Sequence, residues 1–311
     1  MKTQLSEQVR LLSRLAVLLL PLALLACGPV DETLDPEADA LGEQTGELIA
    51  FNGISVNGIS LNGLSVNGIS VNGISVNGLT SSAFSTWFSQ DPVLGHEVMT
   101  YVVRCAVPLG ERREHTDVQT GRTYTWWGTL GLAPDWASGN PATLKEQQLV
   151  SACLAAHVNK YGKSVPISVL GKNARGAIIF SGWELSQFSE KEACFFGNLF
   201  NGEGVYAGND GDSVSPRDSN ARGCGLLSSG KDKDACAPIV RLSKCHSACT
   251  LDATRTYYTS CTYKGTTYVP LTTRLREQDV YRCGDGTCQF TESCGNGSQY
   301  NNCRSDCGRC R

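Results

Sequence analysis

The chain has 311 residues, fifteen cysteines and a formal net charge of -3 from 27 basic and 30 acidic side chains. That balance speaks against nucleic acid as a partner, and the length allows one sizeable core with smaller modules but not several large domains. At the N-terminus, Lys2, Arg10 and Arg14 precede an apolar run from Leu15 to Ala26. It has the layout of a secretory signal and is shorter than the roughly 20 apolar residues that a membrane span needs.

The run closes on Leu24-Leu25-Ala26-Cys27, a small residue followed at once by a cysteine. This tetrad resembles the lipobox of bacterial lipoproteins. The resemblance implies a signal peptide over residues 1–26 and cleavage before Cys27. The mature chain would then start on an acylated cysteine, with the membrane as a partner through this anchor and an expected location at the outer membrane of a bacterial cell envelope. One acyl chain binds reversibly, at about 0.8 kcal/mol per buried CH2, and several together anchor durably.

Residues 27–51 follow as an acidic tether carrying Asp31, Glu32, Asp35, Glu37, Asp39, Glu43 and Glu47, with few aromatic or β-branched side chains to fold around. No Lys or Arg occurs between Arg14 and Arg104. An anionic membrane surface therefore repels this stretch and it is expected to stay solvated. Residues 52–80 repeat with a period of five (NGISV, NGISL, NGLSV) through six Asn-Gly pairs. The stretch is similar to the pentapeptide-repeat solenoids, but it places Ile54, Ile59, Leu64, Ile69 and Ile74 where that family prefers a small residue. Two outcomes stand: a short β-ribbon or partial coil leaning on the next domain, or an extended spacer. As a flexible coil, Gly28 to Thr80 would reach about 40 Å.

Residues 81–278 read as an α+β domain stabilised by disulfides. Asp91-Pro92 is an N-cap and first-turn pair, after which Leu94, Val98, Tyr101, Val102 and Cys105 recur at helical spacing until Pro108 and Gly110. Thr143 and Glu146 form a capping box for a second helix whose stripe is Val150, Cys153, Leu154, His157, Val158 and Tyr161, stopped by Gly162. Strands are predicted at Thr123 to Leu132, Val165 to Leu170, Ala177 to Trp183 and Thr266 to Leu275, with Pro270 placing the last at an edge or a bend. A shorter helix capped by Ser189 and Glu192 is predicted to carry Cys194, Phe195 and Phe196, and Asn201 to Lys233 reads as a long loop. The order Tyr101-Val-Val-Arg-Cys105, Gly131-Leu-Ala-Pro134, Val150-Ser-Ala-Cys153 resembles lipoproteins of large-genome soil bacteria, a likeness over residues 84–265 that brings no activity with it.

Fourteen cysteines remain beside Cys27, in a chain addressed outside the cytoplasm, so disulfides are expected. Eight lie in the α+β domain: Cys105, Cys153, Cys194, Cys224, Cys236, Cys245, Cys249 and Cys261. Six lie in residues 279–311: Cys283, Cys288, Cys294, Cys303, Cys307 and Cys310, spaced C-x4-C-x5-C-x8-C-x3-C-x2-C. Phe290 and Tyr300 are nearly the only large apolar side chains of that segment, so crosslinks or a metal must hold it. It looks like the short CGDGxC repeats of secreted bacterial proteins, and its six cysteines leave fifteen pairings open.

Chemistry-bearing groups are sparse. Cys303, Cys307 and Cys310 are close enough for zinc, but an oxidising compartment disfavours thiolates. Asp285, Glu292 and Asp306 recur in the resembled repeat and offer oxygen ligands for calcium; the plainer alternative is that they cap turns. Asn209, Asp210 and Asp212 make a second acidic loop, without the glycine and bidentate glutamate of an EF-hand. Of the four histidines, His157 lies on an apolar stripe, His246 between two cysteines, and His96 beside Glu97 on the first helix is the best candidate base. No HExxH, GxSxG or SxxK motif surrounds them. Trp126 and Trp127 are adjacent, so in a strand they face opposite sides and one is displayed, ready to stack on a sugar or anchor a protein. The expectation is a lipid-anchored envelope protein with a structural, adhesive or binding role toward an envelope polysaccharide or surface protein. The competing class is an envelope hydrolase built on His96 or His157.

Overall fold

A computed structural model describes residues 49–51, 79–158, 166–210, 239–280, 282–289, 292–295 and 302–310. The lipobox, nearly all of the acidic tether, the Asn-Gly repeats up to Asn77-Gly78, and Cys224, Cys236, Phe290 and Tyr300 lie outside the described residues. The chain divides into residues 1–44 and 45–311, and all of the described residues belong to the second unit.

Two helices open the described body. The Ser81 hydroxyl accepts the Phe84 N–H at 3.2 Å and starts α1 (Ser82–Gln90). The Asp91 carboxylate accepts the Leu94 N–H at 3.0 Å and starts α2 (Pro92–Ala106), which ends before Pro108 as the spacing predicts. A hairpin of β2 (Arg112–Thr116) and β3 (Thr123–Trp127) follows, then the short α3 (Pro134–Ala137) and α4 (Leu144–His157). The expected capping box is present in α4, and Glu146 does more than the box requires. Its Oε2 accepts from the Thr143 N–H (2.9 Å) and hydroxyl (3.0 Å), while Oε1 accepts the N–H groups of Asp135 (2.7 Å) and Trp136 (3.2 Å) at the start of α3. One buried carboxylate thus ties two helix N-termini together, where negative charge is favoured.

Among the described residues the main sheet has six strands in the order β1 (Ile49–Phe51), β4 (Pro166–Leu170), β11 (Leu271–Leu275), β5 (Glu190–Asn198), β6 (Gly204–Asn209), β7 (Ile239–Lys244). Neighbours pair antiparallel except β6 with β7. A second sheet joins β10 (Thr266–Tyr268), β9 (Tyr258–Tyr263) and β8 (Cys249–Leu251).

Helix α4 packs on β5, β6 and β11, and it is buried almost all round from Glu146 onward rather than along a stripe. Its polar side chains reach the sheet's connections. Gln148 accepts the Val269 N–H (3.0 Å), Ser151 accepts the Leu199 N–H (2.9 Å), and Gln147 accepts from the Asn198 amide (3.1 Å).

Several expectations are corrected here. Ile49–Phe51, placed in the disordered tether, forms edge strand β1: the acids end at Glu47, and an apolar run follows that can pair. The helix expected at Ser189 is the strand β5. Ala193 and Phe195 face the α4 side, while Cys194 and Phe196 face a second apolar cluster with Tyr206, Tyr258 and Tyr268, so both faces are covered and the strand shows no alternation. The capping box belongs instead to Ser181 and Glu184, which open α5 (Gly182–Gln187), where a strand was predicted. Asn201 to Lys233 contributes strand β6 before its described part ends. Pro270 does mark a bend, between β10 and β11, but β11 is interior. At Gly197 (φ +129°) an added Cβ would lie 2.3 Å from the Gly204 carbonyl oxygen, so only glycine lets β5 and β6 approach there.

Among the described residues the cysteines pair within the two groups anticipated. Cys105–Cys153 joins α2 to α4, Cys194–Cys245 joins β5 to the turn after β7, and Cys249–Cys261 bridges directly opposed residues of β8 and β9. The C-terminal knot pairs Cys283–Cys303, Cys288–Cys307 and Cys294–Cys310, first with fourth, second with fifth, third with sixth. Among the described residues no helix is long and apolar enough to cross a membrane.

Candidate functional site

The β2–β3 hairpin presents two unlike faces, because strand side chains alternate. Inward point His115, Tyr124 and Trp126, buried against Phe88 of α1. Outward point Arg112, Glu114 and Thr116 of β2, paired in register with Trp127, Thr125 and Thr123 of β3. Of the two tryptophans expected to bind, Trp126 is 1% exposed and donates its indole N–H to His96 Nδ1 at 2.9 Å; it is a core residue and offers no binding surface. Trp127 is 48% exposed, with the Arg112 guanidinium 5.7 Å from its ring centre. Arg112 is held in turn by Glu114 at 3.1 Å, and the Thr116 and Thr123 hydroxyls share a hydrogen bond of 2.9 Å. The outer face thus carries an aromatic ring with a cation over it at one end and paired hydroxyls at the other, a surface suited to stacking with hydrogen bonds along the strand.

The hairpin turn is anchored at its tip. Asp117 accepts from Ser89 of α1 (2.5 Å), from the Thr120 hydroxyl (2.6 Å) and from the Thr120 and Gln119 N–H groups. These bonds, that from Ser89 foremost, hold its carboxyl down to about 2.

Three of the four histidines have a ring nitrogen bonded within the fold. His96 receives the Trp126 N–H on Nδ1, so that nitrogen is unprotonated; burial, and then Arg122, keep the imidazole below its ordinary range. His115 turns Nδ1 to the Leu79 carbonyl (2.9 Å) and lies edge-on to Phe84, and burial lowers it as well. His157 is buried with Nδ1 2.8 Å from the Cys153 carbonyl, beside the Cys105–Cys153 bridge. His246 sits in a short 3-10 turn between Cys245 and Cys249, both tied in disulfides.

Of the three acids predicted as cation ligands, Asp285 and Asp306 share a network of turns in the knot, and Glu292 lies near enough to feel their charge. Asp306 Oδ2 accepts the N–H groups of Gly284 (2.6 Å) and Asp285 (3.2 Å); Asp285 accepts the Thr287 N–H (2.9 Å) and the Gln289 side-chain amide (2.7 Å). Glu292 Oε2 accepts the Gln289 N–H at 3.4 Å. Burial first, then the negative charges of Asp306 and Asp285, push the Glu292 carboxyl up. The zinc alternative falls away, because Cys303, Cys307 and Cys310 are all spent in disulfides.

A polar cluster that the sequence did not signal lies where β5, β6, β9 and β11 converge. The Tyr258 hydroxyl donates to Asp210 (2.9 Å) and the Thr273 hydroxyl to Glu192 (2.7 Å), with Arg274 alongside. Asp210 was expected in an acidic loop; it is buried at the end of β6, and Asp212 lies outside the described residues. Its partners come from positions far apart in the chain, so no local spacing announces them.

No protein-family model, no curated protein and no solved structure matches this chain.

Proposed function

We propose that the protein is a lipid-anchored lipoprotein of the bacterial cell envelope, attached through Cys27, whose disulfide-stapled α+β body binds an envelope polysaccharide or a surface protein with the outer face of the β2–β3 hairpin. The observation that carries the binding part is Trp127. A large aromatic ring stands 48% exposed on a hairpin whose other face is locked into the core, so the ring is displayed on a rigid platform. Arg112, Thr125 and Thr123 on the same face supply polar partners, which favours a sugar-like or mixed polar and apolar ligand. The tetrad ending in Cys27 and the uncharged repeats up to Thr80 support an anchored, distanced display.

The test has two arms. Cys27→Ala is expected to release the protein from membranes under mild washing; a wild type that stays in the aqueous phase on detergent partitioning overturns the anchor. Trp127→Ala is expected to weaken retention on purified envelope polysaccharide or on intact cells by tenfold or more, about 1.4 kcal/mol or above. The melting temperature should hardly move. Unchanged retention overturns the hairpin as the binding face.

A further inference from the structure

Two disulfides of the body touch. Cys194–Cys245 ties β5 to the turn after β7, and Cys249–Cys261 ties β8 to β9, yet the Cys194 and Cys249 sulfurs lie only 3.8 Å apart. Four sulfurs therefore run in one line of contact, Cys245, Cys194, Cys249, Cys261. Gly208, opposite Cys194 in β6, makes the room: a Cβ there would stand 3.3 Å from the Cys194 sulfur and 3.1 Å from the Cys245 amide nitrogen. Cys194, Cys245 and Cys261 are fully buried, whereas Cys249 is partly open, on β8 at the edge of the small sheet among the described residues. The Cys245 sulfur also lies 3.0 Å from the Gly208 carbonyl oxygen. A disulfide sulfur carries no proton to give that oxygen; a thiol does.

We propose that these four cysteines form a thiol–disulfide exchange relay, through which a dithiol reductant arriving at Cys249 moves the crosslink of β5 from the turn after β7 to β8. In the first step the dithiol, small or carried by a protein, gives two electrons to the Cys249–Cys261 bridge. It leaves as its own disulfide, and Cys249 and Cys261 become thiols. In the second step Cys249 releases its proton to solvent and attacks the Cys194 sulfur as a thiolate. The Cys194–Cys249 bond forms, the Cys194–Cys245 bond breaks, and Cys245 leaves as a thiolate that takes a proton from solvent; no further electrons are needed. The freed Cys245 thiol then donates to the Gly208 carbonyl, so the exchange leaves no buried thiol unpaired there. Contact between the sulfurs makes the second step intramolecular, with the attacking group at high effective concentration. By contrast Cys105–Cys153 is fully buried at both ends between α2 and α4, which closes it to a reductant in the folded protein. The rearranged form links the main sheet directly to the small one and releases the turn that follows β7, an edge strand among the described residues.

The test reduces the full-length oxidised protein with dithiothreitol in small steps under native conditions, quenches with acid, alkylates free thiols and maps the bridges by peptide mass spectrometry. Circular dichroism at each step follows the fold. The peptide pair joined through Cys194 and Cys249 is expected to rise about tenfold or more over the untreated protein, with label on Cys245 and Cys261. Label on Cys249 and Cys261 while Cys194–Cys245 stays intact overturns the relay. So does opening of Cys194–Cys245 ahead of Cys249–Cys261, and so do bridges that stay closed until the fold is lost. A second arm needs no reductant. Cys261→Ser leaves Cys249 a free thiol beside the Cys194–Cys245 bridge, and the Cys194–Cys249 pair should form unaided; Cys249→Ser, which frees Cys261 instead, should keep Cys194–Cys245. A folded Cys261→Ser protein that holds only Cys194–Cys245 also overturns the relay, and the wild-type titration decides by itself where that variant does not fold.

Discussion

The α+β body and the C-terminal knot solve the same problem with opposite means. In the body, both apolar clusters draw on residues between Leu79 and Val280, and buried polar groups such as Glu146 are filled by backbone amides and hydroxyls. In the knot, three bridges span separations of only 16 to 20 residues, and the buried Glu292 keeps an oxygen without a partner. The difference teaches where stability resides. A chain that can bury aromatic and aliphatic side chains uses disulfides as reinforcement, and a segment that cannot depends on them for having a structure.

The sharpest way to break that contrast is to remove one bridge from each region. Cys288→Ala with Cys307→Ala is expected to abolish hydrogen-exchange protection throughout the knot while the body still melts cooperatively. Cys105→Ala with Cys153→Ala should lower the body's stability by about 2–4 kcal/mol without unfolding it, since α2 and α4 remain packed. A body that unfolds on losing its bridge would make the two regions alike.

Next in size is the inner face of the hairpin. Trp126→Ala removes a buried ring and the bond to His96, and is expected to cost about 3–5 kcal/mol by chemical denaturation. Trp127→Ala should stay within about 0.5 kcal/mol. Equal losses at the two positions would show that the outer ring is part of the core.

Glu146→Gln probes how the body satisfies its buried charge. An amide can replace only one of the two accepting oxygens, which leaves N–H groups of α3 or α4 opposed by an NH2. A loss of about 2–3 kcal/mol is expected from denaturant melts. A neutral result would mean that the two helix starts are wetted by solvent rather than tied by this carboxylate.

The smallest effect is pH dependence in the body. His96 and His115 are held below their ordinary range by burial, so the folded state takes up a proton less readily than the unfolded chain. Their contribution is full above the unfolded value of about 6.5 and is lost as pH falls below it. Asp117, held at about 2, adds a second loss between its unfolded value of about 3.9 and that point. A melting curve recorded from pH 8 to pH 2 should fall in two steps, and Asp117→Asn should flatten the lower one. A melting temperature independent of acid would contradict both assignments.

How much of this was legible depended on how local the signal was. Asp91-Pro92 and the Thr143 and Glu146 capping box announce α2 and α4 because a cap is written within four residues of the helix it starts. The division of the cysteines into two groups also survives, since every bridge observed stays within its own region. The strand β5 was misread as a helix because a two-face-buried strand and a buried helix share the same unbroken apolar run. The arrangement of adjacent tryptophans on opposite faces was readable from the pleat, but which of them faces outward was not: only packing against Phe88 and His96 assigns Trp126 to the core.

The sequence by itself thus determined the starts of α2 and α4, the mixed α+β class, the dependence of the C-terminal segment on crosslinks and the opposite facing of the two adjacent tryptophans. Each of these follows from residues close together in the chain. The order of the main sheet, the cysteine pairings, the reach of Glu146 to a second helix and the meeting of Tyr258 with Asp210 were decided only by the tertiary structure. The reason is physical: those features depend on burial and on contacts between segments far apart in sequence, and neither is encoded in any local spacing.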